Sequence, residues 1–154
     1  MAGRPFAYWV SLLGVVCITV PTGARVASAE PTERIRVVVK GLRTTMGEVR
    51  CLLFDSEDGF PSQVNKAFKR GQARAQGTAT VVEFTNVPTG VYAVSCFHDE
   101  NNNGKLETNL VGIPKEPWAM SNDAPPKGFG PPRYARASFD HGRPLTVHAI
   151  NLNH

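Results

Sequence analysis

After about residue 20 the chain contains no long apolar run, so nothing in the remainder can cross a bilayer as a helix. It also lacks the commonest motifs of hydrolytic chemistry: there is no HExxH, no GxSxG and no second pair of Cys or His ligands. Basic residues are scattered through Lys66, Lys69, Arg70, Arg74, Arg133, Arg136 and Arg143, without the aromatic interleaving of an RNA-binding sheet. This argues against nucleic acid as a partner. Gly128-Phe129-Gly130 is not a phosphate loop, because no strand feeds it and prolines flank it.

What is present begins with Arg4, an apolar run from about Phe6 to Val20, and the small residues Ala27-Ser28-Ala29. This is the layout of a secretory signal peptide cleaved after Ala29. A permanent anchor fits less well, since the run is short for a span and Pro21 and Gly23 interrupt it. Lipid attachment at Cys17 is disfavoured by Val16, which stands where a small residue is wanted. Residues 1–29 are therefore read as signal and 30–154 as one exported domain, secreted or periplasmic, with no stable membrane span after cleavage. Removing Arg4 and Arg25 leaves 15 basic and 13 acidic residues, a net charge of only +2.

The 125 residues that remain suffice for one core. Alternation marks strands over about 34–42, 48–55, 78–85, 91–98, 134–139 and 145–152, with a polar loop and a short helical patch at 63–69 between the second and third. Residues 99–132 carry six of the twelve prolines and no periodicity, and so read as one long loop. The pattern predicts an all-β fold: a single antiparallel β-sandwich, transthyretin-like or immunoglobulin-like, with a long proline-rich loop. If successive strands run up and down, Asp55 and Asp99 emerge at the same end. Cys51 and Cys96 then lie at similar depth beneath it. In an oxidising compartment they are candidates for a disulfide, although depth alone leaves two free buried thiols open.

The stretch from His98 to Glu107 is the most specific chemistry in the chain. Counting Asp99 as position 1 places Asn101 at 3, Asn103 at 5, Gly104 at 6, Lys105 with its carbonyl at 7, and Glu107 at 9, which is the spacing of a calcium loop. Leu110 at position 12 and the strand before Asp99 exclude an EF-hand. The expectation is a weak structural calcium site. Its competitor is an Asn-rich turn that satisfies its own backbone without an ion.

Two other functions compete with a structural role. A metal-dependent enzyme would use His98, Asp99 and Glu116, but adjacent strand residues point to opposite faces. A binding surface would use Glu116, Trp118, Met120 and Phe129 on the long loop, towards a cell-envelope or extracellular ligand that the sequence does not identify. The same apolar groups can instead close one end of the sandwich as a lid.

Gly90-Val91-Tyr92-Ala93-Val94, His98-Asp99-Glu100-Asn101, Asn103-Gly104-Lys105-Leu106, Gly112-Ile113-Pro114-Lys115-Glu116-Pro117 and Ser121-Asn122 together resemble the bacterial exported family called domain of unknown function 2141. Cys51-Leu52-Leu53-Phe54, Gly59-Phe60-Pro61 and Pro131-Pro132 extend the resemblance over nearly all of the mature chain. It implies an exported, sandwich-like domain with no established activity. Two departures are Glu107, where an Asp is expected, and Trp118-Ala119-Met120, which replaces an aromatic-Gly-aromatic stretch.

Overall fold

The computed structural model describes residues 33–154 apart from Phe129, so residues 1–29, read from the sequence as a signal, lie outside the described residues. Among the described residues eight strands form two sheets: β1 (Arg34–Lys40), β2 (Glu48–Phe54), β3 (Lys69–Arg74), β4 (Ala79–Thr85), β5 (Gly90–Asp99), β6 (Trp118–Met120), β7 (Phe139–His141) and β8 (Leu145–Asn151). One sheet has the order β4-β1-β8. The other has the order β3-β2-β5-β6, with β7 pairing the start of β5. Among the described residues no helix is long and apolar enough to cross a membrane.

Alternation in the sequence explains the packing. Ile35, Val37 and Val39 of β1 meet Val49, Cys51 and Leu53 of β2, Val82 and Phe84 of β4, and Val94 and Cys96 of β5 in one buried core between the sheets. Burying each such aliphatic side chain stabilises the fold by about 1.5–3 kcal/mol. The sheets approach most closely along β3 and β4, where Gly71 is required: a Cβ there would lie 2.7 Å from Val82 Cγ1. On the opposite face of the larger sheet, Ala93, Met120, Ala124 and Ala137 form a smaller cluster against Phe60, Trp118 and Tyr134. The larger sheet is thus covered on its second face around β5 and β6, while β3 leaves Arg70, Gln72 and Arg74 exposed there.

The all-β expectation holds, with four differences of detail. β1 and β8 run parallel, with Arg34 beside Leu145 and Lys40 beside Asn151, so the fold is not purely antiparallel. Residues 69–74 form a strand although they read as loop, because LysArgGlyGlnAlaArg alternates half-buried and exposed positions without an apolar stripe. Residues 134–139 open as a helical turn, α1 (Tyr134–Ala137), and only then reach β7, since the alanines of Tyr-Ala-Arg-Ala suit a helix better than a strand. Within 99–132, β6 pairs with β5 through Ser95–Met120, Cys96–Ala119 and Phe97–Trp118. Three residues are too few to show a period.

The extra strand β3 reverses the expected polarity. β2 and β5 are antiparallel neighbours, Glu48 lies beside Asp99, and Asp55 and Asp99 are at opposite ends. The disulfide nevertheless forms, for a different reason from equal depth. Cys51 and Cys96 are directly opposite in register, with Cα atoms 4.1 Å apart. Both are nearly inaccessible in the main core.

Candidate functional site

Asp99 ends β5 on the sheet face away from the main core, and the chain folds back around its carboxylate. Oδ1 accepts the Asn103 backbone N–H at 3.0 Å and Oδ2 that of Gly104 at 2.8 Å. Gly104, at φ +76°, makes this reversal without strain. The next oxygens repeat the device: Asn101 Oδ1 accepts from Asn103 N at 3.1 Å, and Asn103 Oδ1 from Lys105 N at 2.8 Å. Both asparagine amides donate to Glu107 Oε1, at 3.2 and 2.9 Å. The side chains of Asp99, Asn101, Asn103 and Glu107 are therefore gathered in one turn, while Lys105 enters it only through its backbone.

A residue that the turn's own sequence could not indicate completes it. Arg50 of β2 donates its Nε–H to Asp99 Oδ2 at 2.7 Å, and its other nitrogens reach Gln72 Oε1 and Glu48 Oε2, each at 3.1 Å. Asp99 is fully buried and Arg50 partly exposed. The cation arrives from another strand, and only the β2–β5 register places it there. Gly47, at φ +76°, permits the same close approach, since a Cβ would collide with the Asp99 carbonyl.

Glu116 acts as a second organiser. Its Oε1 accepts from Glu100 N at 3.1 Å and its Oε2 from Glu107 N at 3.2 Å, so this buried carboxylate ties both ends of the turn to the strand that follows. Ser121 and Asn122 fasten the far end of the loop. Ser121 Oγ accepts the Val94 N–H at 2.9 Å and donates to the Ala137 carbonyl, while Asn122 Nδ2 donates to Ser138 O at 2.8 Å.

His98 and Asp99 do face opposite ways. His98 pairs with Val49 on the core side, fully buried, and its Nε2–H donates to the Met46 carbonyl at 2.8 Å. Its Nδ1 faces the Glu100 carboxylate at 3.7 Å without a hydrogen bond. Among the described residues no group of three or more His, Cys, Asp or Glu side chains is arranged to hold a metal ion, so His98, Asp99 and Glu116 do not converge. His141 is spent on the core, bonding Thr146 Oγ1 at 2.7 Å and the Val87 carbonyl at 3.1 Å. His148 stacks on Phe139 and accepts the Asn122 N–H, and burial lowers its pKa, with Asp123 opposing.

Of the residues considered for a binding surface, Glu116 and Met120 are buried, Trp118 is half-buried against the second cluster, and Phe129 lies outside the described residues. Among the described residues, the long loop's exposed large apolar groups are Leu110, Val111 and Ile113 instead.

Comparison with curated proteins and with solved structures gave no match. A family model described as an uncharacterized protein conserved in bacteria matches residues 37–148, from the middle of β1 to the middle of β8, and so includes both sheets, the disulfide and the Asp99 turn. On that match the chain belongs to the bacterial family called domain of unknown function 2141.

Proposed function

We propose that this protein is an exported, non-enzymatic β-sandwich module of the cell envelope, built to hold the long loop rigidly at one end of the larger sheet. The observation that carries the reading is how the buried carboxylates are used. Asp99 and Glu116 direct their oxygens at backbone N–H groups of the loop, so they organise structure and are not free to exchange protons with a substrate. Export rests on the N-terminal segment, and the intact mass of protein recovered from the envelope tests it. A chain beginning at Glu30 is expected; one retaining residues 1–29 overturns export with cleavage.

The turn itself is proposed as a calcium-type turn. Asp99 Oδ1 and the Oδ1 atoms of Asn101 and Asn103 each accept one backbone N–H and keep a second lone pair, whereas Asp99 Oδ2 is already shared by Gly104 and Arg50; the Lys105 carbonyl and Glu107 can add to a shell of six to eight oxygens. Arg50 competes with the ion for Asp99, which argues for weak affinity. At free calcium ten times the dissociation constant, binding adds about 1.4 kcal/mol, a rise of several degrees in melting temperature. Asp99→Ala abolishes the rise and Lys105→Ala keeps it. Arg50→Met enlarges it, because the competing cation is gone. Identical melting curves in millimolar calcium and in chelator would leave Arg50 as the cation at the Asp99 carboxylate and refute the calcium reading.

A further inference from the structure

Between the turn and Glu116 the chain projects a small hairpin whose tip carries exposed apolar side chains. Leu110, Val111 and Ile113 have relative exposures of 107%, 78% and 59%. The tip is held in shape. Asn109 Oδ1 accepts the N–H groups of Val111 and Ile113 at 3.0 and 2.9 Å, and Asn109 N and Gly112 N close the turn onto Ile113 O and Asn109 O at 2.8 and 3.0 Å. Gly112 supplies the positive φ of +82° that this reversal needs. Lower down, Thr108 pairs with Pro114, and Lys115 N bonds Glu107 O at 2.8 Å.

An ordered protrusion of three apolar side chains contributes nothing to the core, and mere chain reversal would be served as well by polar residues. Its shape is informative: a convex apolar tip finds no apolar counterpart on a flat polar surface, whereas a fluid bilayer interface closes around it. Its reach agrees. Three residues from the Glu107–Lys115 pair to the tip span about 10 Å, the depth to which interfacial segments enter the headgroup and acyl boundary. Its charges agree as well. Lys105 and Lys115 are exposed near the base, and the carboxylate of Glu107, also exposed, is engaged by the amides of Asn101 and Asn103, so lysines outnumber carboxylates two to one at that level. Lysines at that level meet the phosphates of anionic lipids.

We infer that the 107–115 hairpin is a membrane-contacting finger, inserting Leu110, Val111 and Ile113 into the interface of an anionic lipid bilayer. This deepens the reading of an envelope module by naming its partner surface, and it does not require calcium in the turn. The exported protein is mixed with vesicles of phosphatidylethanolamine and phosphatidylglycerol, in calcium and again in chelator. An environment-sensitive fluorophore is attached through Leu110→Cys, or through Val147→Cys as a control on the smaller sheet.

Emission from position 110 should shift to the blue on vesicle addition in both media, and emission from position 147 should not. The triple variant Leu110→Ser, Val111→Ser, Ile113→Ser should lose at least tenfold in vesicle affinity with an unchanged melting temperature. Lys105→Glu with Lys115→Glu should weaken binding severalfold on anionic but not on phosphatidylcholine vesicles. An unshifted probe at 110, a triple variant that binds like wild type, or a finger that captures a soluble protein without associating with vesicles would each overturn the inference. Failure of the calcium reading alone would leave it standing.

Discussion

Breaking the Cys51–Cys96 bond is expected to produce the largest loss of stability available from one covalent change. The bond closes a sequence separation of 45 residues, for which the chain-entropy model gives about 4 kcal/mol. For a domain of this size that corresponds to roughly 15 °C in melting temperature. Denaturation by urea with and without reductant, with alkylation verifying that both thiols are free, measures it. Because both cysteines also fill the core between the two sheets, the double change to alanine should cost more than reduction alone. A urea midpoint unchanged on full reduction would show that the sheet register holds without the bond.

The second large effect is expected at Asp99. Asp99→Ala removes the acceptor of two loop N–H groups and the partner of Arg50, all from a position closed to water. Hydrogen bonds to a buried charge and an ion pair broken on one side together suggest a loss of about 3 kcal/mol. Arg50→Met should cost less, because Arg50 is partly exposed and the carboxylate keeps its backbone donors. Amide exchange at Asn103 and Gly104 should quicken in Asp99→Ala far more than in Arg50→Met. If Asp99→Ala changed stability by under about 0.5 kcal/mol, the turn would be an appendage and not part of the sheet's end.

The turn and the core strands were legible for the same reason: both are local. Oxygen side chains at alternate positions before Gly104 announce a chain that wraps back on itself, and Ile35-Arg36-Val37-Val38-Val39 announces a strand with one buried face. β3 was not legible, because a half-exposed edge strand, hydrogen-bonded to β2 alone and meeting β4 through a glycine, needs no apolar stripe. Missing it inverted the predicted direction of β5. The disulfide expectation survived that error because its compartment argument does not depend on strand direction; its depth argument did, and the bond itself rests on register.

The all-β class, the main buried faces and the reversal at Asn103-Gly104 are written in the chain itself, since each follows from side-chain periodicity or backbone freedom within a few residues. The assembled fold alone sets the parallel β1–β8 pairing, the position of Cys51 opposite Cys96, and the arrival of Arg50 at Asp99. It also decided which apolar residues of the long loop are packed and which are left in solvent. Those features join residues far apart in the chain, and the free energy that selects among possible registers comes from burial of whole sheet faces, which no local pattern contains.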